Sequence, residues 1–162
     1  MKYLLPTLLL PLLLCTCGPA DADVYPELDL TRYNVPLKIT APDSAKVTSQ
    51  SLSGVMHDVT IASPEDDYFV QVLASQAETN DMARLKTNQL ELVRDNRYFN
   101  RVVREEPNGF IFENKIDSTS TFGFRYIIYQ GDQEFVFQNG LGGTYNEAQI
   151  ERMYAAVKQD KK

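Results

Sequence analysis

The single histidine of the chain, His57, is the one imidazole that could serve as a general base or a metal ligand. A cluster of histidine ligands is therefore excluded, and any Ser-His-Asp or Cys-His arrangement has to use this residue. His57 alternates with Val59 and Ile61, which predicts the apolar face of a β-strand. Because successive strand residues point to opposite faces, Asp58 is predicted to face away and not to orient the ring. We interpret His57 as a structural residue at the margin of the core.

Two loops carry groups that bind ions in other proteins. Glu65, Asp66 and Asp67 could offer oxygen ligands to Ca²⁺, but the loop lacks the alternate acidic spacing and the distant glutamate of an EF-hand. We predict a solvated turn there. Residues 140–144 could present backbone N–H groups to an anion, yet they lack the lysine of a phosphate-binding loop, and Glu147 follows them. These residues are predicted to form a tight strand-to-helix turn.

Aromatic residues are concentrated in the second half of the chain. They include Phe110, Phe112, Phe122, Phe124, Tyr126, Tyr129, Phe135 and Phe137. The chain contains no Trp, so these rings are expected to fill the core between sheet and helices, although a groove for an apolar ligand or peptide is the alternative. Arg125 alternates with two of the rings and is predicted to point to the opposite face. A carboxylate such as Glu113 on a neighbouring strand could pair with it there.

The chain begins with an apolar segment that is too short to remain in a membrane. Lys2 supplies a positive start, and residues 3–15 are almost wholly apolar. A membrane-spanning helix needs about 20 such residues. We therefore interpret residues 1–16 as a signal peptide, which predicts an exported protein.

The segment ends in Leu14-Cys15-Thr16-Cys17, which resembles the lipobox of bacterial lipoproteins. The resemblance implies that Cys17 is the lipid attachment residue and that acyl chains anchor the protein to a membrane of the cell envelope, inner or outer. Cleavage after Ala20 or Ala22, without a lipid, is the alternative. No cysteine follows Cys17, so the remaining body can form neither an internal disulfide nor a thiolate metal site.

Composition limits the partners and the number of domains. The formal net charge is −6, and no cluster of Lys and Arg appears outside the terminal residues 158–162, which argues against a nucleic-acid partner. We interpret residues 17–35, rich in Pro, Asp and small residues, as the lipid attachment and a flexible tether. Residues 36–162 have the length of a single domain. No cofactor is expected, because no metal or nucleotide motif is found.

Hydrophobic patterns predict strands, a helix, more strands and a final helix. Strands are predicted over residues 37–41, 45–49, 55–61, 68–75, 98–104, 109–116, 121–130 and 134–138. The second of these is expected to pair with the first. One helix is predicted to begin after Thr79 or Asn80 and to end at Arg94. The other is predicted to begin with a capping box of Thr144 and Glu147.

This order predicts an α+β domain in which two amphipathic helices pack on an antiparallel sheet. The strand between Pro36 and Pro42, the mid-chain helix, the aromatic hairpins and the helix after Gly143-Thr144 together resemble the fold shared by photosystem PsbP, the Ran-binding Mog protein and the bacterial lipoprotein DcrB. The resemblance implies a non-enzymatic interaction or accessory module that contacts an unidentified envelope protein. The alternative is a carrier of a small apolar ligand, or a hydrolase, with its pocket at the aromatic hairpins.

Overall fold

The computed structural model describes residues 25–158, which form an α+β domain as predicted. The strands are β1 (Glu27–Asp29), β2 (Lys38–Thr40), β3 (Lys46–Leu52), β4 (Met56–Ser63), β5 (Tyr68–Gln76), β6 (Phe99–Glu106), β7 (Gly109–Ile116), β8 (Thr119–Gln130) and β9 (Gln133–Asn139). The helices are α1 (Met82–Arg94) and α2 (Glu147–Val157). The predicted signal peptide, Cys17 and residues 18–24 of the predicted tether lie outside the described residues.

The domain begins before the predicted boundary at Pro36. Strand β1 pairs antiparallel with β2, and the segment between them buries Leu30 and Val35 completely. The prediction that the flexible tether extends to residue 35 is therefore wrong. A strand of three residues followed by a short 3-10 helix, Thr31–Tyr33, has too little periodicity to be recognised from the sequence.

The other strands form one antiparallel sheet of seven strands in the order β3-β4-β5-β9-β8-β7-β6. Strand β3 pairs with β4, with Val47 opposite Ile61, so the predicted pairing of residues 45–49 with residues 37–41 is wrong. The reason is the turn between β3 and β4. Ser53 and Gly54 there have φ angles of 54° and 71°, the left-handed backbone of a tight hairpin.

One face of the sheet carries most of the core. Helix α2 and the segment of β1 and β2 cover this face, and the ring of Tyr154 meets Phe124 and Tyr126 edge-on at centroid distances of 5.8 Å. Helix α2 begins with a capping box formed by Asn146 and Gln149. The prediction that Thr144 and Glu147 form this box is wrong by two residues.

The opposite face is only partly covered. Leu90 and Val93 of α1 pack on Phe110 and Phe112 of β7, where they form a second, smaller core. The carboxylate of Asp81 caps α1 by accepting hydrogen bonds from the first helical N–H groups, so the predicted caps, Thr79 and Asn80, are wrong by one or two residues. The predicted end at Arg94 is confirmed.

Candidate functional site

A cleft of about 200 Å³ opens where the end of α1 meets the less covered face of the sheet. Its apolar side chains come from α1, β7 and the loop after β9, and its polar side chains come from the three neighbouring strands and the residues after α1. The lining residues are Leu92, Val93, Asn96, Phe112, Asn114, Arg125, Gln138, Asn139 and Leu141. The cleft therefore combines an apolar wall with polar groups and a single cation.

Alternation along β8 places Arg125 in this cleft. Phe124 and Tyr126 point into the main core, so Arg125 points to the other face, as predicted. Its guanidinium lies over the ring of Phe112, 5.8 Å from the ring centroid, and its Nη1 donates a hydrogen bond of 2.9 Å to the carbonyl of Phe124.

The expected partner of Arg125 is engaged elsewhere, so the pairing with Glu113 is wrong. Glu113 follows Phe112 in β7 and therefore faces the side of the sheet opposite to the cleft. Its carboxylate accepts hydrogen bonds from Arg101, Ser120 and Asn100. The lining of the cleft includes no carboxylate.

Arg125 therefore remains a cation without an ion pair among residues 25–158. Burial lowers the pKa of Arg125 from its ordinary 12.5 to about 10, which is still well above neutral pH, so the guanidinium stays charged. A partly buried charge without a counterion is unfavourable, because it has lost water and gained no partner. The site is electrostatically suited to an anion.

Two asparagine side chains add polar groups to the cleft. Oδ1 of Asn139 accepts a hydrogen bond of 3.2 Å from the N–H of Phe124, and none of the hydrogen bonds among residues 25–158 uses the Nδ2 group. Oδ1 of Asn114 is buried and has no hydrogen-bond partner in the described part of the chain. The cleft thus holds hydrogen-bonding capacity that the protein itself does not use.

Gly123 allows these groups to converge. A Cβ atom at this position would lie 2.5 Å from the ring of Phe112 and 3.0 Å from Oδ1 of Asn139. Because glycine has no Cβ, the ring and the amide can approach the backbone of β8 from the same side. The shape of the cleft depends on this residue.

His57 lies away from the cleft and holds two segments together. Its Nε2 lies 2.8 Å from the carbonyl oxygen of Tyr33 and 3.0 Å from Oγ of Ser49. A hydrogen bond to a carbonyl requires a proton on Nε2, so in this tautomer the nitrogen cannot accept a proton from Ser49. Asp58 lies on the opposite face, as predicted, and accepts a hydrogen bond of 2.8 Å from Gln71. His57 and Asp58 therefore do not form a catalytic pair.

The two loops that carry candidate ion-binding groups have structural roles in the fold. Oδ2 of Asp66 accepts hydrogen bonds from Ser63 and Ser44, which lower the pKa of its carboxyl. Residues 140–144 form the predicted turn between β9 and α2, and they bring Leu141 to the mouth of the cleft. Among residues 25–158, no group of three or more His, Cys, Asp or Glu residues is placed to hold a metal ion. The same residues include no helix that is long and apolar enough to span a membrane.

The aromatic residues mainly form the core, as expected. Phe124, Tyr126, Phe135 and Phe137 lie in the main core, and Phe110 lies in the smaller core under α1. Phe112 is shared between the smaller core and the wall of the cleft. No sequence pattern indicates that Asn96, Asn114 and Asn139 share a cleft, and the one available signal is an arginine within an aromatic strand.

The fold and the cleft together define an α+β domain with a polar, positively charged recess beside its mid-chain helix. Comparison of the chain with protein-family models, with curated proteins and with solved structures found no match.

Proposed function

We propose that this chain is an envelope lipoprotein, anchored through acyl chains on Cys17, whose domain is a non-catalytic accessory module that binds a ligand. The observation that carries the binding role is Arg125, a cation that faces a cleft without a carboxylate partner among the described residues. The anchoring role is supported by the apolar leader and the lipobox-like sequence before Cys17.

The groups in the cleft are suited to holding a ligand. A guanidinium stays protonated at neutral pH, and the amides of Asn96, Asn114 and Asn139 are neither bases nor nucleophiles. Such groups orient a bound molecule through hydrogen bonds and charge. This chemistry favours the ligand-binding alternative over a hydrolase, and it replaces the expected apolar ligand with one that carries a negative charge.

The start of the domain limits how far it can lie from the membrane. The folded segment is described from Tyr25, eight residues after Cys17. Even a fully extended chain of this length spans no more than about 29 Å. A lipid on Cys17 would therefore hold the domain close to the bilayer surface.

We also propose that the domain has the PsbP, Mog and DcrB type of fold. The arrangement of two helices on an antiparallel sheet supports this assignment. The fold hosts different functions and adds nothing to the choice of ligand.

Two measurements test the proposed function. Intact-mass spectrometry of the protein from the membrane fraction should show a mature chain that begins at acylated Cys17, and Cys17→Ser should move the protein to the soluble fraction. An unmodified chain beginning at Asp21 or Asp23 would contradict the anchor. Native mass spectrometry of the gently purified protein should show a co-purifying small molecule that Arg125→Met lacks. A wild-type protein that is empty and also takes up no small anion in solution would contradict the binding role.

A further inference from the structure

We propose that the cleft beside Arg125 binds a small organic acid, with its carboxylate on Arg125 and Asn139 and its apolar body against Leu92, Phe112 and Leu141. This inference rests on the proposed binding function and names the class of ligand. Each part of the ligand corresponds to a separate feature of the cleft.

The carboxylate of the ligand is inferred from the absence of acidic side chains in the lining of the cleft. The chain carries 22 acidic residues against 16 Lys and Arg, yet none of the acidic side chains lines the cleft around Arg125. In a protein so rich in carboxylates, an internal partner for a partly buried arginine is readily supplied. Because no such partner lines the cleft, we infer that the carboxylate of a bound molecule pairs with Arg125.

The donors favour a planar anion. A guanidinium offers parallel N–H groups that match the two oxygens of a carboxylate, and only Nη1 of Arg125 is used by a hydrogen bond within the described residues. Asn139, whose Nδ2 group makes no hydrogen bond among residues 25–158, lines the same cleft. Arg125 and Asn139 thus provide hydrogen-bond donors from the neighbouring strands β8 and β9.

The apolar body follows from two leucines at the mouth of the cleft. Leu92 is 66% exposed and Leu141 is 77% exposed, although both line the cleft. They come from different elements, α1 and the loop after β9, and flank an opening whose inner wall is the ring of Phe112. An apolar group between them would be removed from water.

The volume limits the size of the ligand. A cleft of about 200 Å³ has room for about six or seven water molecules at about 30 Å³ each. Pockets for drug-sized ligands begin at about 300 Å³. A monocarboxylic acid with a short chain or a single ring fits this space, and hexanoate is a suitable probe.

Isothermal titration calorimetry of the full mature protein in detergent tests the class of ligand. Hexanoate should bind, and the neutral isostere hexanamide should bind at least about tenfold more weakly, because it cannot pair with a guanidinium. Inorganic phosphate should also bind more weakly, since it has no apolar body. No binding of hexanoate, equal binding of hexanamide, or equal or tighter binding of phosphate would each overturn the proposal.

Variants locate the binding in the cleft. Arg125→Met should weaken hexanoate binding at least about tenfold, whereas Arg152→Met, which removes the same charge from the exposed side of α2, should leave it unchanged. Leu141→Ser alters an exposed side chain and should weaken hexanoate binding by about threefold or more without unfolding the protein. If Arg125→Met does not fold, Leu141→Ser decides, and unchanged affinity in that variant overturns the proposal.

Calorimetry and native mass spectrometry together distinguish a wrong ligand class from a wrong binding function. If hexanoate does not bind but another molecule co-purifies with the wild-type protein and not with Arg125→Met, the ligand class is wrong and the binding module stands. If no molecule co-purifies and hexanoate does not bind, both are wrong.

Discussion

Nε of Arg101 lies 2.6 Å from Oε2 of Glu113, and this ion pair lies on the face of the sheet opposite to Arg125. Glu113 is largely buried, and Ser120 and Asn100 complete its hydrogen bonds. Two arginines on neighbouring parts of the sheet thus have different environments. Arg101 pairs with a carboxylate that other donors also hold by hydrogen bonds. Arg125 faces an open cleft.

The first prediction concerns the acid stability of the domain. Hydrogen bonds from Ser120 and Arg101 hold the pKa of Glu113 at about 2, below its ordinary 4.5. A lowered folded-state pKa stabilises the native state above the unfolded pKa, and this contribution disappears as the pH falls from about 4.5 to about 2. The Tm of Glu113→Gln should therefore fall less steeply than that of the wild type over this range, as measured by circular dichroism. Glu65 provides the control because its side chain is exposed. The dependence of Tm on pH in Glu65→Gln should follow that of the wild type.

The second prediction concerns the stability of the unliganded protein. Arg125→Met replaces a partly buried, unpaired charge with an apolar side chain of similar length, which removes a desolvation penalty. We expect the Tm of the ligand-free variant to be unchanged or raised by up to about 4 °C. A clear fall in Tm would show that the hydrogen bond to Phe124 and the contact with Phe112 matter more than the penalty.

The third prediction concerns the floor of the cleft. Gly123→Ala should destabilise the domain by about 1–3 kcal/mol, because the added methyl group would overlap the ring of Phe112. Urea unfolding measures this change. Adding Phe112→Leu to the Gly123→Ala variant should recover part of the loss, since a smaller side chain leaves room for the methyl group. If the two substitutions destabilise additively, the ring is not the obstacle.

The fourth prediction distinguishes two caps for α2. Asn146→Ala should lower the free energy of unfolding by about 1 kcal/mol, because its side chain accepts a hydrogen bond from the N–H of Gln149. Thr144→Ala, two residues earlier and exposed, should have almost no effect. The opposite order of effects in urea unfolding would place the start of the helix at Thr144.

The sequence was sufficient to predict β2–β9, α1 and α2 because their patterns are local. Alternation or a continuous apolar run identifies the strands, and helical spacing identifies the helices, without knowledge of the neighbours. Residues 25–35 carry no such pattern, because Leu30 and Val35 are buried through contacts with distant elements. Sequence alone does not fix the helix caps, because several residues near the start of each helix are able to cap it.

The cleft could not be predicted because it depends on register between strands. Its residues are spread from position 92 to position 141 and meet only once the sheet has formed. The pairing of Phe112 with Gly123, and of Phe110 with Arg125, decides which side chains share its face. A shift of one residue in this ladder would have exchanged Phe112 for Glu113.

The strand order has a consequence for how the domain folds. The sheet consists of two meanders, β3–β5 and β6–β9, each made from neighbours along the chain, and the β5–β9 ladder is the one that joins them within this sheet. That ladder brings together residues that are distant in sequence, with Gln76 opposite Gln133 at its nearest point. Because closure of a long loop loses chain entropy before the contacts form, docking of the two meanders is the expected kinetic bottleneck. Substitutions in β5 and β9 should accordingly slow refolding more than equally destabilising substitutions in the hairpin turns.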